Sequence, residues 1–128
     1  MKVLLDTHIL LWWASDSSRL SRAAFAACSD ANNDLIVSVA SVWEIQIKVQ
    51  IGKLKLEADL SQMIAAQQQT NHLEILSVEY EHVMALTPLP MVHRDPFDRL
   101  LVAQANAIGA TLVSADPIFH QYPVALLQ

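Results

Sequence analysis

Four carboxylates stand at comparable places in the 128-residue sequence, each beside a short apolar run or at the start of a helix-like stretch. Asp6 ends the first run, Glu44 follows the second, and Asp116 follows the run at residues 111–114. Asp98 lies in the first turn of a stretch that leads into that same run. Because the carboxyl ends of parallel strands share one edge of a sheet, where ligands bind, we expect these four side chains to converge.

A cluster of that kind suits a hard divalent cation. Several ionised carboxylates in one crevice are costly unless a cation neutralises them, and Mg²⁺ or Mn²⁺ binds carboxylate oxygens while it keeps several waters. Such an ion activates water and stabilises charge on a leaving oxygen, so the cluster predicts metal-dependent phosphodiester hydrolysis. Few lysines lie near the acids in sequence to neutralise them instead. A serine triad is not indicated, because no serine or threonine is paired in sequence with a histidine.

Each acid also has a structural interpretation. Asp6 and Asp116 could cap the helices that follow them, and Asp98 could favour the positive end of its own helix. Glu44 lies in one of the most apolar stretches of the chain, and its alternative is the exposed flank of a helix. Both interpretations stay open on the sequence alone.

The elements that must position the acids alternate along the chain. Apolar runs of strand length lie at residues 2–5, 35–39, 73–76, 111–114 and 124–127. They show little alternation, which is typical of strands buried on both faces. Apolar spacings of three and four predict helices at residues 7–15, 19–29, 60–72, 78–86 and 96–108. This order predicts one α/β domain over residues 1–128, with a mainly parallel sheet covered on both faces.

Local signals vary in clarity from segment to segment. The helix from Pro96 has three agreeing boundary signals, namely Asp95 as N-cap, the proline itself and Gly109 just past the end. Residues 45–51 instead alternate apolar and polar, which alone indicates a β-hairpin. A capping serine and Gly52 at the far end favour a helix there, and we predict a helix.

Composition narrows the class of protein. Hydrophobic residues make up 53% of the chain, so we expect oligomerisation or a protein partner. The net charge of −5 argues against an ordinary nucleic-acid binder, because such proteins usually hold phosphates with a basic surface. Two glycines cannot build a nucleotide-binding loop, and the single Cys28 is expected to be a buried thiol.

No apolar run is long enough for a membrane span. Asp6 and His8 interrupt the N-terminal apolar stretch, which favours mature structure in a cytoplasmic protein over a secretory signal.

The motifs around the four acids resemble the PIN-domain nucleases, most closely the VapC-type toxins of bacterial toxin–antitoxin pairs. Lys-Val-Leu-Leu-Asp-Thr-His, ending at His8, is similar to the opening strand and first acid of that family. Ser-Val-Trp-Glu-Ile around Glu44, continuing to Gly-Lys-Leu, is similar to the second motif. His-Arg-Asp-Pro-Phe-Asp-Arg around Asp98 and Val-Ser-Ala-Asp ending at Asp116 resemble the third and fourth. The resemblance covers the chain from end to end.

The resemblance implies a three-layer α/β/α fold with a five-stranded parallel sheet, and an Mg²⁺- or Mn²⁺-dependent endoribonuclease acting on RNA. Asp6 and Asp98 would be the principal metal ligands, and Glu44 and Asp116 would complete the acidic set or position water. Ser114, two residues before the fourth acid, would be an accessory residue. The family also implies a small antitoxin that binds the chain tightly and blocks the crevice, on a homodimer.

Several other residues invite a functional interpretation. Asp95 is a possible fifth acid, although its capping position accounts for it. Lys48, Arg94 and Arg99 are candidates for holding RNA phosphates. His93 is expected to form hydrogen bonds at the surface and is not assigned to the metal.

The three tryptophans are expected to pack in the core or at an interface, which is favoured over stacking on bases. The rival functions are an inactive PIN-like interaction module and a receiver domain that accepts a phosphoryl group. The receiver is disfavoured because residues 123–128 contain no lysine.

Overall fold

A computed structural model describes all residues, 1–128. Its five strands are β1 (Lys2–Leu5), β2 (Asp34–Ser38), β3 (Glu74–Leu76), β4 (Thr111–Val113) and β5 (Leu126–Leu127). All neighbouring strands pair in parallel, in the spatial order β3-β2-β1-β4-β5. The strand order reverses between β1 and β4, and a crevice at the carboxyl ends of these two strands is where open α/β sheets bind ligands. A receiver domain has a different order, 2-1-3-4-5, so that rival is wrong.

Helices connect the strands. They are α1 (Thr7–Ser15), α2 (Arg22–Ser29), α3 (Val39–Gln50), α4 (Leu60–Asn71), α5 (Tyr80–Met84) and α6 (Pro96–Ile108). Two short 3-10 helices lie at Ser17–Arg19 and Pro117–Gln121. None of these helices combines the length and the apolar content that crossing a bilayer demands.

The core is divided between the two faces of the sheet. Along β1, Val3 and Leu5 point into one apolar cluster with α1, α2 and α4, whereas Leu4 between them points into a second cluster with α6. This is the two-residue alternation that a strand imposes on its side chains. Since helices cover both faces, the expected three-layer α/β/α fold is confirmed.

The ambiguous segment at residues 45–51 lies almost wholly within α3, so the helix prediction is confirmed and the hairpin alternative is wrong. Ser38 Oγ accepts the Ala40 N–H at 3.1 Å and caps the start of the helix. Ile45 is fully buried, and Gly52 adopts a φ of +78° just past the end. Burial of one helical face therefore outweighs the local alternation of apolar and polar residues.

Some predicted boundaries are wrong by a few residues. The helix predicted at 19–29 begins only at Arg22, because Ser21 caps it and the preceding residues form a separate 3-10 helix. The helix predicted at 78–86 is confined to Tyr80–Met84. The second strand ends at Ser38, since Val39 already belongs to α3.

The expectation that all strands are buried on both faces is wrong at the edges of the sheet. Strands β1, β2 and β4 are almost wholly buried, but Glu74 and Ile75 of the edge strand β3 are exposed. An edge strand has a neighbour on one side only, so a short apolar run does not guarantee burial. Cys28 is buried in α2, as expected, and burial raises the pKa of its thiol to about 11.

Candidate active site

Asp6 lies at the point where the strand order reverses. Its N–H donates to the Val113 carbonyl oxygen at 3.0 Å, which extends the β1–β4 pairing by one residue. Its Oδ1 accepts the Ile9 N–H at 2.9 Å and caps α1, and its Oδ2 accepts the Ser114 hydroxyl hydrogen. Asp6 is only 6% exposed. The carboxylate is thus fixed from β1, α1 and the end of β4 together.

Asp116 lies on the other side of Ser114. Its N–H donates to Ser114 Oγ at 3.0 Å, so one buried serine contacts both acidic residues. Its Oδ1 accepts the Ile118 N–H at 3.0 Å and caps the 3-10 helix, and the residue is exposed. Asp6 and Asp116 are therefore helix caps and also neighbours, so the structural and functional interpretations are compatible.

Glu44 is 9% exposed on α3, so the alternative of an exposed helix flank is wrong. Thr7 Oγ1 donates to Glu44 Oε1 at 2.6 Å, which connects α3 to the residue directly after Asp6. Lys48 Nζ lies 2.9 Å from Glu44 Oε2 one helical turn later. Few lysines were expected near the acids, and Lys48 is one that neutralises Glu44.

Asp98 is the third residue of α6 and half-buried. Asp95 caps this helix by accepting the N–H groups of Phe97 and Asp98 at 2.9 and 3.2 Å. His93 Nε2 lies 3.2 Å from Asp98 Oδ2, so His93 forms hydrogen bonds as expected but is partly buried, with 21% of its side chain exposed. The expectation of a surface position for His93 is therefore met only in part.

A chain of hydrogen bonds supports His93 from behind. Its Nδ1 lies 2.6 Å from the Tyr122 hydroxyl, and Arg99 Nη1 donates to that hydroxyl oxygen at 3.2 Å and to the Pro90 carbonyl at 2.7 Å. Tyr122 is buried near the C-terminal end of the chain. No local pattern pointed to Tyr122, because its contact with His93 spans 29 positions.

Burial and neighbouring negative charges both raise the pKa values of Asp6 and Asp98. Burial raises the pKa of Asp98 to about 6, the His93 hydrogen bond opposes the rise, and the carboxylates of Asp95 and Glu44 add to it. Burial also raises the pKa of Asp6, where Ser114 and the Ile9 N–H oppose the rise and the carboxylate of Asp116 adds to it. Asp116 therefore acts on Asp6, and Glu44 acts on Asp98, at short enough range to disfavour ionisation.

All the predicted acids occupy the same edge of the sheet, yet no three acidic, histidine or cysteine side chains are close enough together to form a ready metal site. Several carboxylate oxygens already take part in hydrogen bonds within the protein. Ser114 donates to Asp6, Thr7 and Lys48 donate to Glu44, and His93 contacts Asp98. The donor chemistry still fits Mg²⁺ or Mn²⁺. The side-chain atoms available as ligands are mainly oxygens, and Mg²⁺ needs only one or two carboxylates besides its waters. The negative charges of the acids also disfavour one another's ionisation, which a cation would offset.

The other candidate residues differ in whether they lie beside the acids. Lys48 and Arg94 line one groove beside Glu44, whereas the Arg99 guanidinium is held by Pro90 and Tyr122. Trp12 and Trp13 pack against the core, as expected. Trp43 is 62% exposed and contacts Phe97 edge-on at 5.5 Å, so core packing is wrong for Trp43.

Comparisons with known proteins agree with this arrangement. The family model described as PIN domain matches residues 3–125. A ribonuclease, VapC22 of Mycobacterium tuberculosis, is 30% identical over 124 residues, which is 94% of this chain and 93% of that protein.

Solved structures share the fold at lower identity. VapBC2 from Rickettsia felis, bound to a DNA fragment from its promoter, aligns with a TM-score of 0.76 and 20% identity over 99% of this chain and 98% of the other. FitAcB from Neisseria gonorrhoeae aligns with a TM-score of 0.63 and 16% identity over 98% and 96%. With the family model covering nearly the whole sequence and a relative at 30% identity, the chain belongs to the PIN-domain family.

Proposed function

We propose that this chain is a single-domain endoribonuclease that depends on Mg²⁺ or Mn²⁺. One observation carries the proposal: Asp6, directly after β1, accepts a hydrogen bond from Ser114, directly after β4, and is followed by Thr7, which donates to Glu44. The charge of Glu44 in turn acts on Asp98. Residues from four distant parts of the sequence thus surround the reversal of strand order, where α/β sheets bind ligands.

The toxin assignment is part of the same proposal. The similar VapC22 is named a ribonuclease, and similar folds occur in VapBC2 and in a toxin–antitoxin complex from Klebsiella pneumoniae, which aligns with a TM-score of 0.63. We assign this chain the toxin role, with a small antitoxin as its inhibitor and the cytoplasm as its location. A buried, unpaired cysteine is consistent with that compartment.

The acids would have unequal roles. Asp6 and Asp98, buried or half-buried and with raised pKa values, would hold the cation, and Glu44 and Asp116 would complete the acidic set. When bound, Mg²⁺ or Mn²⁺ supplies activation of water and neutralises charge on the phosphodiester. Asp95 would remain accessory, since its Oδ1 is committed to capping α6.

The other polar residues fix the orientation of the acids. Ser114 donates to Asp6, Thr7 donates to Glu44, and His93 lies against Asp98, so each carboxylate has at least one oxygen held in place. Held carboxylates need less reorganisation when charge develops in the reaction. We propose that Lys48 and Arg94 bind RNA phosphates and that Arg99, whose guanidinium is already held, has a structural role.

A homodimer is also proposed, with a second copy covering one apolar groove. Val39 and Trp43 of α3, Val78, and Phe97 of α6 line a groove of about 800 Å³, and the first three are exposed. The surface is almost entirely apolar, and surfaces of this kind on a small chain usually mark an interface. A two-fold axis would place the same face of each copy against the other.

Cleavage of purified RNA tests the nuclease assignment. We expect RNA cleavage with Mg²⁺ or Mn²⁺ and none with EDTA. In Asp6→Asn we expect the cleavage rate to fall by at least about 100-fold. The matched control is Asp34→Asn, which removes the same charge from an exposed acid at the opposite end of the sheet. Cutting that persists with EDTA and in Asp6→Asn contradicts the metal mechanism, and a chain that binds an antitoxin without cutting any RNA favours the inactive interaction module.

A further inference from the structure

The positive charges of this acidic chain are concentrated on one part of its surface. Of its eight lysines and arginines, five line two adjoining grooves beside the carboxylates. These residues are Arg19, Lys48, Lys53, Lys55 and Arg94. In a chain with a net charge of −5, that local excess of cations is the feature a polyanion would recognise.

The two grooves meet next to Glu44. The first has a volume of about 530 Å³ and lies between α1 and the segment after α3, with Thr7, Trp12 and Arg19 on one side. The second has a volume of about 430 Å³ and lies between α3 and the start of α6, with Glu44 and Arg94 in its lining. Lys48 and Lys53 belong to both grooves. Together they form a strip, here called the cationic strip, that passes Glu44.

Most cations of the strip have no acidic partner. The basic side chains within salt-bridge distance of a carboxylate are Lys48, beside Glu44, and His93, beside Asp98, so Arg19, Lys53, Lys55 and Arg94 are not neutralised by any carboxylate at that distance. Arg19 lies over the ring of Trp12 at 4.8 Å, which makes a flat cationic and aromatic surface at one end of the strip. Unneutralised cations beside an aromatic ring are typical of proteins that bind single-stranded nucleic acid.

We propose that the cationic strip is the binding track for the phosphate backbone of single-stranded RNA, which runs from Arg19 and Lys55 past Glu44 to Arg94. The inference rests on the proposed nuclease function and adds the path of the substrate. The carboxylates alone would repel a phosphodiester, and cations on both sides of Glu44 offset that repulsion. An unpaired base can stack on the exposed guanidinium plane of Arg19, which lies over Trp12, and a base held in a duplex cannot do so.

Binding measured against salt tests the strip. A labelled RNA oligonucleotide without secondary structure is titrated with protein in an Asp6→Asn background, with Mg²⁺ present, at several salt concentrations. The double variant Lys53→Ala and Lys55→Ala should bind more weakly, and the slope of log Kd against log salt should fall by about 1.4, or about 0.7 for each lost phosphate contact. Arg94→Ala, in the second groove, should lower the slope by about 0.7 on its own.

The control removes the same charge elsewhere. Lys2 and Arg22 are exposed and line neither groove, so the double variant Lys2→Ala and Arg22→Ala should keep the parent slope. Equal slopes for the two double variants overturn the strip, and an unchanged slope in Arg94→Ala overturns its passage through the second groove. Displacement of the RNA by polyglutamate at equal charge concentration would also overturn it, since it would assign the surface to an acidic protein partner.

The strip and the nuclease assignment can fail separately. If the unmodified chain cuts RNA with Mg²⁺ but both double variants bind alike, only the track is wrong. If the unmodified chain cuts no RNA, the nuclease assignment fails, whatever the slopes show.

Discussion

His93 Nε2 lies 3.2 Å from Asp98 Oδ2, and the partners on the two sides of the ring indicate which nitrogen donates. An ionised Asp98 can only accept, so Nε2 donates to it, and the Tyr122 hydroxyl, whose oxygen accepts from Arg99, can donate its hydrogen to His93 Nδ1. The neutral imidazole then carries its hydrogen on Nε2 and donates it to Asp98. A buried tyrosine near the C-terminus thus orients an acid at the start of α6.

Replacing His93 should therefore weaken the site without unfolding the protein. We expect His93→Ala to lower RNA cleavage and Mn²⁺ affinity by about tenfold, because the Asp98 carboxylate loses the donor that orients it. His93→Gln, whose amide can donate from a similar place, should recover part of both. Equal losses in His93→Ala and His93→Gln, with thermal unfolding unchanged in both, would contradict the positioning role.

The acids should make the metal-free protein less stable as the pH rises. The pKa of Asp98 is about 6 when folded against 3.8 as its ordinary value, so folding binds a proton between these values and the stability gained is lost as the pH rises through about 6. Asp6 acts in the same direction. With Asp98 half-buried, the effect at neutral pH is at most about 3 kcal/mol.

The variant Asp98→Asn isolates this effect, because it has no proton to lose. In EDTA we expect it to unfold at a higher temperature than the parent at neutral pH and at nearly the same temperature near pH 4. Thermal unfolding of both proteins across this range measures the difference. A stability difference that does not change with pH would show that Asp98 is ionised alike in the folded and unfolded chain.

The Thr7 hydroxyl should contribute to both stability and activity. Thr7→Val keeps the shape of the side chain but leaves Glu44 Oε1 without its 2.6 Å donor, which should cost about 1–3 kcal/mol of unfolding free energy. Thr7→Ser retains the hydroxyl and should stay close to the parent. Urea unfolding and RNA cleavage check the two effects, and a fully active, fully stable Thr7→Val protein would mean that Glu44 needs no such support.

The apolar groove of α3 and α6 should control self-association. We expect Trp43→Lys to shift the chain from dimer to monomer in sedimentation experiments, because Trp43 is 62% exposed and lies against Phe97. Met91, which is 77% exposed and does not line that groove, provides Met91→Lys as the matched control. A parent chain that sediments as a monomer, or a Trp43→Lys protein that stays dimeric, would contradict the proposed interface.

The sequence predicted best where several signals agreed. α6 has the predicted bounds, since Asp95, Pro96 and Gly109 all mark its ends, and Gly109 adopts the expected left-handed φ of +68°. Asp6 and Asp116 could be placed at one sheet edge because acids that follow parallel strands must lie there. Element type and the neighbourhood of the site were therefore readable from local patterns.

Contacts between distant segments were not readable in the same way. Thr7 reaches Glu44 across 37 positions and His93 reaches Tyr122 across 29, and no periodicity encodes such pairs. The strip was missed in part because Lys53 and Lys55 belong to a segment with little regular structure, whose path only the folded chain defines. Lys48 was noted as a phosphate contact, but its ion pair with Glu44 depends on α3 being a helix.

Calorimetric titration with Mn²⁺ tests most directly whether these carboxylates form a site for a divalent cation. We expect saturable binding to the unmodified chain and to Asp34→Asn, and at least about tenfold weaker binding to Asp6→Asn and Asp98→Asn. Equal Mn²⁺ affinity in all four proteins, or no saturable binding to the unmodified chain, would contradict the metal site at this edge of the sheet.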